Sequence, residues 1–453
     1  MKTYQDLIEV GLDDKRRGEF CKIAVDQFKN TAGYREAEAG ELYYAKHNVT
    51  IEKLKKFIMT LSGRKNEDLF SANYKLKSLI FRRFIIQQTQ YVLGNGLILE
   101  NPENKEKLGK DFDFKLQQVA KRTLVGGVGF GFWNLDHLEV FSYVETKTQP
   151  GFCPLYSEET AELMADIRFW NRTVGDKNVF CCTLYEPDGY TEFKKVGEKD
   201  IVVDKAKRGY VKTTAYTEAG GIENETYSNY SRLPIIPMFG NDLHESELNG
   251  LRENIDCYDY IKSGFANDID DTPGIYWAIK NAGGMDDVDL AKFLHRMKTV
   301  RGAVLEDDQE VDAHTLDIPV EARSKMLELL RTDLYEDFQA LDVKTLSAAQ
   351  KTAQEIQAAY QAQDNKCADF EYYVIEFVEK ILELAGIDDN PTFTWNKVVN
   401  MSEQTNMILM AANYLSEEMV IKKLPFLTPE EADLEIEKLG TRTIQQFNPE
   451  DDE

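Results

Sequence analysis

Residues 319–386 read PVEARSKMLELLRTDLYEDFQALDVKTLSAAQKTAQEIQAAYQAQDNKCADFEYYVIEFVEKILELAG, and this stretch decides the fold. Leu327, Leu330, Leu334, Phe338 and Leu341 recur at spacings of three and four, the repeat of one helix face. Ile356, Ala359, Tyr360, Cys367, Phe370, Val374, Phe377, Ile381 and Leu384 form a second such face. Between the two faces, Ser347 with Gln350 is a capping box, which restarts a helix by satisfying its free N–H groups. Gly386 supplies the stop. A helix from about 348 to 385 would run roughly 55 Å, whereas helices of globular proteins average about a dozen residues. The prediction is a strut, a short polar break and a much longer strut, with nothing resembling a catalytic centre.

Working outward, the segment 241–271 predicts another amphipathic helix. Leu248, Leu251, Ile255, Tyr258, Ile261 and Phe265 share one face. Nine acids and two bases (Arg252 and Lys262) give the span a net charge of −7 with His244 neutral. Thr272-Pro273-Gly274 breaks it. A small α/β tip is predicted next: an IYWAI strand, a helix opened by Asp286 with Leu290, Phe293, Leu294 and Met297, then a VRGAVL strand. An acidic loop, Glu306 to Asp312, leads back to residue 319.

Toward the N-terminus, residues 1–30 predict one or two helices with Phe20, Ile23, Ala24 and Phe28 on one face. GELYYAKHNVTI reads as a connector. A helix is expected from Tyr74 to Leu93, with Leu76, Ile80, Phe84 and Tyr91 inward and a stop at Gly94-Asn95-Gly96. A second is expected over Phe114–Val125. Short strands follow: GFGFWNL, LEVFSYVE, DIRFWNRTV, NVFCCTLYEPDGYTEFKKV with a turn at Asp188-Gly189, and IVVDKAKRGYVKTT. The region beyond Asn390 reads as helical, broken at Pro425 and Pro429. The class is therefore α+β, mainly α.

The chain has 453 residues, enough for two to four domains, and a formal charge of −25. That charge argues against adhesion to nucleic acid through a basic face, but not against surrounding DNA without gripping it. No run reaches the eighteen or so apolar residues that span a membrane, so no membrane partner is expected. Six cysteines without a C-x-x-C pair read as reduced thiols of a cytoplasmic protein.

Candidate chemistry is thin. Gly126-Gly127-Val128-Gly129-Phe130-Gly131 invites a phosphate-loop reading, but a helix precedes it and strands follow, the reverse of the dinucleotide fingerprint. A helix-to-sheet turn explains it better. His47, His137, His244, His295 and His314 form no metal-ligand pattern, so neither metal nor cofactor is expected. The pairs Asp270-Asp271, Asp286-Asp287 and Asp307-Asp308 could hold Mg²⁺ for nucleic-acid processing, yet adjacent acids are unremarkable among 79. Asp286 is better explained as a helix cap. Lys292, Arg296, Lys298 and Arg301 put a basic face on the tip, either ordinary helix-end charge or a dock for an acidic partner. Lys344 and Lys351 bracket the break between the struts and either touch phosphates or are simply solvated.

Helix, small tip, helix, break and very long helix resembles the stem, clip, stem, tunnel loop and wing helix of portal proteins of tailed bacteriophages, siphophage type. Local segments carry the likeness: YYAKHN, YVLGNG, the GG turn before the β lobe, IPMFGNDLHESELNGLRENIDCYDYIKS, YWAIKNAGGMDDVDLAKFL, LDVKTLSAAQKTAQEIQAAY and LPFLTPEEAD. The resemblance implies a wing over 1–240, stem helices over 241–271 and 319–341, and a clip over 272–318. It further implies a tunnel loop over 342–351, a long wing helix over 352–386 and a crown over 387–453. It implies a ring of twelve subunits at one capsid vertex, assembled in the host cytoplasm, with wing, stem, clip and crown around a central channel.

Such a ring nucleates procapsid assembly with the scaffold and major capsid proteins and docks the large terminase at its clip. It passes double-stranded DNA without sequence specificity, then receives head–tail adaptors, and has no catalysis of its own. On that footing Lys344, Thr345, Leu346, Ser347, Gln350 and Lys351 would line the constriction. Lys292, Arg296, Lys298 and Arg301 would dock partners, and Leu248, Leu251, Ile255, Tyr258, Ile261, Leu330, Leu334 and Phe338 would pack the stem. An acidic wall would repel phosphate and keep the duplex centred, where a basic one would grip it. The alternatives are a Mg²⁺-dependent nucleic-acid-processing enzyme and a non-viral ring scaffold.

Overall fold

The computed structural model describes residues 1–59, 64–68, 71–216, 222–271, 276–280, 289, 292, 310–314, 319–344, 353–397, 405, 408–424, 427 and 432–439. The chain divides into two units. One comprises Met1–Ala340 with Cys367–Thr394, the other Leu341–Lys366 with Trp395–Glu453.

The first unit grows from the N-terminal helices α1 (Tyr4–Val10) and α2 (Asp14–Phe28). Asp13 caps α2 by accepting from the Arg16 amide. Phe20, Ala24 and Phe28 are buried as the periodicity requires, but Ile23 is 49 % exposed. Cys21 and Val25 take its place, because the apolar stripe runs 20, 21, 24, 25, 28 rather than through 23. The supposed connector after it is mostly helix: α3 (Ala32–Tyr44), then the single turn α4 (Val49–Glu52) capped by Asn48. A small ladder follows, β1 (Phe57–Met59) with β2 (Lys65–Glu67).

Helix α5 starts at Ile80, not Tyr74, and ends at Leu93; residues 72–79 form neither helix nor strand. Strand β3 (Leu97–Ile98), the short helix α6 (Pro102–Glu106) and α7 (Phe112–Gly126) complete the helical part.

The β lobe has more strands than the sequence suggested. β4 (Val128–Asn134), β5 (His137–Phe141) and β13 (Ile235–Phe239) form a three-stranded antiparallel sheet in the order β13-β4-β5. β6 (Gly151–Tyr156), β7 (Leu163–Val174), β8 (Lys177–Glu186), β9 (Gly189–Val196) and β10 (Val202–Arg208) form a five-stranded meander. The β8–β9 hairpin turns at Pro187-Asp188, one residue before the expected Asp188-Gly189, with Glu186 opposite Gly189. β6 and β13 were missed because each carries a proline, Pro154 and Pro237, which demotes a run from strand. β11 (Val211–Tyr216) and β12 (Ile222–Ser228) form a separate ladder.

The meander is buried on both faces. Ile167, Phe169, Cys182 and Leu184 pack with Phe20, Ala24 and Phe28 of α2. On the other face Phe152 and Tyr185 join Phe130 and Phe141 of the small sheet in an aromatic layer. Arg17 and Glu186 meet beside it in a buried, two-pronged ion pair, at 2.9 and 2.6 Å.

The glycine-rich segment is a packing device. Gly127 has φ +84°, a left-handed conformation that lets α7 stop and β4 begin. At Gly131 a Cβ would sit 2.4 Å from Cζ of Phe377, so only glycine allows that ring to lie on the sheet. The phosphate-loop reading has no support in this geometry.

Helix α8 (Arg252–Asp271) is shorter than the expected 241–271, because 241–251 form turns. β14 (Tyr276–Lys280) pairs antiparallel with β15 (Glu310–His314). Part of the expected acidic loop, 310–312, is therefore strand, while VRGAVL lies outside the described residues. Helix α9 (Val320–Phe338) is followed by α10 (Ala353–Ala385), 33 residues or about 50 Å long. Gly386, at φ +67°, ends α10 as expected. β16 (Thr392–Phe393) pairs with β3, and Asp389 accepts from the amides of Glu100 and Asn101 and the side chain of Asn104. Instead of being helical from Asn390 onward, the chain first returns to the first unit.

In the second unit Leu341, Tyr360 and Ala432 are buried. Lys397 bridges to Asp364 at 2.7 Å and stands over the Trp395 ring. A 3₁₀ turn (Ala412–Tyr414) precedes helix α11 (Glu417–Lys423), capped by Ser416, with acids in its first turn and lysines in its last. Pro425 and Pro429 lie outside the described residues. Mixed α and β with helix predominating is the class observed.

Candidate stem, channel and docking segments

Helices α8 and α9 run antiparallel as a pair. Asn254 donates to Asp337 at 2.8 Å near one end, and Arg323 pairs with Asp268 toward the other. The separations agree, since 268 − 254 and 337 − 323 both give 14, so the two helices keep register over about 21 Å. Ile255, Leu330, Leu334 and Phe338 are buried, as the spacing predicted. Phe338 stacks on Phe84 of α5 at 4.7 Å, and Tyr335 meets the same ring edge-on at 4.9 Å. Leu248 and Leu251 are also buried, but in the turns before α8 rather than on it. Those turns seat on the end of α7: Ser246 donates to the Val125 carbonyl at 2.6 Å and the Glu247 amide to that of Leu124 at 3.0 Å.

Tyr258 and Ile261 are half-buried. The face of α8 turned inward below Ile255 is polar: Asp259, Ser263 and Asn267 are 1 %, 4 % and 6 % exposed. Their partner is the backbone of a strap that spans 74–78. Asp259 accepts from the Ser78 amide at 2.9 Å, Ser263 from Leu76 at 3.0 Å, and Asn267 from Tyr74 at 2.6 Å. The match is geometric. Four helical residues rise about 6 Å and two extended residues about 6.6 Å, so every fourth side chain meets every second amide. This explains why α5 does not begin at Tyr74: offering every second amide to one helix face requires a non-helical backbone over 74–78.

The first turns of α8 are clasped by residues 43–50, the YYAKHN segment and the two residues after it. Tyr43 donates to Asp256 at 2.5 Å, Thr50 to the same carboxylate at 2.7 Å, and Asn48 to Asp259 at 3.0 Å. Two quoted segments, far apart in sequence, therefore meet as donor and acceptor. Burial, and then the Asp256 carboxylate, push the Tyr43 phenol up to about 12. Burial also raises the Asp259 carboxyl above its ordinary value, against the pull of Asn48 and Ser78. Nothing in the hydropathy pattern signals this clasp; the Asp256-x-x-Asp259 spacing alone marks one helix face.

The break after α9 begins where Gln339 adopts a left-handed φ of 60° and ends the helix. Lys344 is exposed, and its amide donates to Asp342 at 3.1 Å. Thr345, Leu346, Ser347, Gln350 and Lys351 lie outside the described residues, as do Arg296, Lys298 and Arg301 of the tip. Lys292 is exposed and pairs with Asp289 at 3.4 Å. Of the paired acids, Asp270 is exposed and accepts from the Tyr74 hydroxyl, a surface role; Asp286, Asp287, Asp307 and Asp308 lie outside the described residues. Among the described residues no cluster of His, Cys, Asp or Glu has the arrangement of a metal site.

The family described as phage portal protein, SPP1 Gp6-like, matches residues 31–446. The portal protein of Clostridium phage phiCD119 is 24 % identical over 447 residues, covering 92 % of this chain and 94 % of that one. The portal protein of Bacillus phage SPP1 is 24 % identical over 445 residues, covering 91 % and 86 %. Among solved structures, the neck of a native GTA particle computed with C12 symmetry aligns with TM-score 0.39 at 12 % identity, over 77 % of this chain and 90 % of that one. A chain of the native gene transfer agent virion aligns with the same TM-score and identity, over 75 % and 88 %. With the family match spanning nearly the whole sequence, the chain belongs to the SPP1 Gp6-like phage portal proteins, a structural and non-enzymatic family.

Proposed function

We propose that the chain assembles into a ring of twelve at one capsid vertex and serves as the conduit for double-stranded DNA during packaging and ejection. The observation that carries this reading is the family match over residues 31–446 on a chain whose α8–α9 pair forms an antiparallel stem. In this reading the β14–β15 tip is the clip, residues 342–351 are the tunnel loop, and α10 is the wing helix. The ring nucleates procapsid assembly with scaffold and major capsid protein, then docks the large terminase and, after packaging, the head–tail adaptor.

The chain's own contribution is positioning and charge. Of the acids of α8, Asp259 is buried and Asp256 and Asp268 are bonded within the chain, so the channel charge comes from the others, such as the exposed Asp270. An acidic lining does not exchange counterions with the duplex, so DNA slides rather than binds. Lys344 and Lys351 would give weak, sequence-blind phosphate contacts at the constriction. Lys292, Arg296, Lys298 and Arg301 would meet acidic surfaces of terminase and adaptor. Negative-stain imaging of the purified protein tests the reading: rings with a central hole are expected, and a compact monomer would contradict it. For the clip, reversing the charge of the four bases is expected to abolish terminase binding; retained binding and packaging would remove them from the docking site.

A further inference from the structure

Residues 53–66 run against the charge of the rest of the chain. They carry Lys53, Lys55, Lys56, Arg64 and Lys65 and no acid, within a protein of formal charge −25. Without them the remainder stands at −25 − 5 = −30. The segment contains the antiparallel ladder β1–β2, with Phe57 opposite Glu67 and Met59 opposite Lys65, and this ladder joins no larger sheet among the described residues. Lys53, Lys55, Arg64 and Lys65 are exposed, and Phe57 is 51 % exposed. Within the hairpin Lys55 pairs with Glu67 at 2.7 Å and the Lys65 amine stands 4.2 Å over the Phe57 ring. Exposed pairs of this kind are weak and leave the positive field of the hairpin in place. A two-stranded ladder alone is at best marginally stable in water, so a partner surface would complete it.

Its attachment points place it on the flank of the stem. It departs from α4, next to Asn48 and Thr50, which hold Asp259 and Asp256 of α8. The Asp68 amide closes its base on the Lys56 carbonyl, and the chain then joins the strap that Asn267 holds at Tyr74. The same stem pair exposes Glu253, Glu328 and Glu336.

We infer that the β1–β2 hairpin docks on the acidic α8–α9 face of the next copy of this chain. This rests on the ring reading above. A ring is built from head-to-tail contacts, in which one patch meets a different one. A basic flank and an acidic stem on the same chain satisfy that requirement. The contact would also offset the mutual repulsion of strongly acidic copies.

The test is zero-length carbodiimide cross-linking of assembled full-length protein made from mixed light and heavy-isotope chains. Mixed-isotope links from Lys53, Lys55, Lys56 or Lys65 to Glu253, Glu328 or Glu336 are expected. The variant K53E/K55E/K56E/R64E/K65E should lose the ring at concentrations where wild type assembles, an association about tenfold or more weaker. Combining it with E253K/E328K/E336K should restore assembly. Absence of mixed links from wild-type rings, or rings unaffected by the five reversals, overturns the docking role and leaves the ring reading intact. Normal rings that instead lose low-salt DNA retention would assign the hairpin to nucleic acid and likewise overturn it. If wild type forms no ring, the underlying reading falls and this inference with it.

Discussion

Ser263 of α8 grips the backbone of Leu76 from both sides: its hydroxyl accepts from the Leu76 amide at 3.0 Å and donates to the Leu76 carbonyl at 3.4 Å. It is the middle rung of a ladder whose other rungs are Asp259–Ser78 and Asn267–Tyr74. Hydrogen–deuterium exchange should therefore show the amides of Tyr74, Leu76 and Ser78 protected relative to Lys75 and Lys77. Ser263→Ala should release the Leu76 amide and cost about 1–2 kcal/mol. Uniform exchange across 74–78 would mean that the strap is not held in this way.

Phe338 ends the apolar face of α9 against the Phe84 ring and is 3 % exposed. Phe338→Ala removes both the burial and the stack, and is expected to destabilise the protein by about 3–5 kcal/mol. Chemical denaturation followed by intrinsic fluorescence measures it. A loss below about 1 kcal/mol would mean that α9 is not anchored through this ring.

The Arg17–Glu186 pair sits between α2 and the meander with each side chain under one-tenth exposed, at 8 % and 7 %. Removing one partner strands the other charge, so Glu186→Leu alone should cost about 3–5 kcal/mol. Replacing both, as Arg17→Met with Glu186→Leu, should recover most of it, because the desolvation cost disappears with the charges. Equal losses in the single and double variants would contradict this account.

Asp166 on β7 is fully buried, and neither carboxylate oxygen has a hydrogen-bond partner among the described residues. Desolvation raises its folded-state pKa well above the ordinary value. The native state therefore holds the proton more tightly than the unfolded chain. The stability tied to the neutral acid is complete below the unfolded value of about 3.9 and is lost as pH rises toward the folded value. Asp166→Asn should raise Tm, by more at pH 7 than at pH 4. A gain that shrinks with rising pH would reverse the sign and refute the assignment.

The two helices α9 and α10 were legible because apolar spacing is a strong helix signal, and Leu330, Leu334 and Phe338 obey it. The inward face of α8 was not, because Asp259, Ser263 and Asn267 pack through hydrogen bonds to a backbone, and hydropathy assigns such residues to solvent. The same ladder hid the strap, since Leu76 and Ile80 are spaced as on a helix while the amides between them are already bonded. Whole-chain charge concealed the hairpin: five bases in a row without an acid vanish in a total of −25. The glycine segment was legible by its neighbours, because a helix before and strands after it fix a turn rather than a phosphate cradle.

The central claim is that this portal chain forms a ring whose channel narrows at the break between α9 and α10. Cryo-electron microscopy of the assembled full-length protein tests it most directly. The account predicts a closed ring with a central channel, and residues 342–351, including Lys344, at its narrowest point. Lys344 on the outer rim, or particles without a central channel, would contradict it.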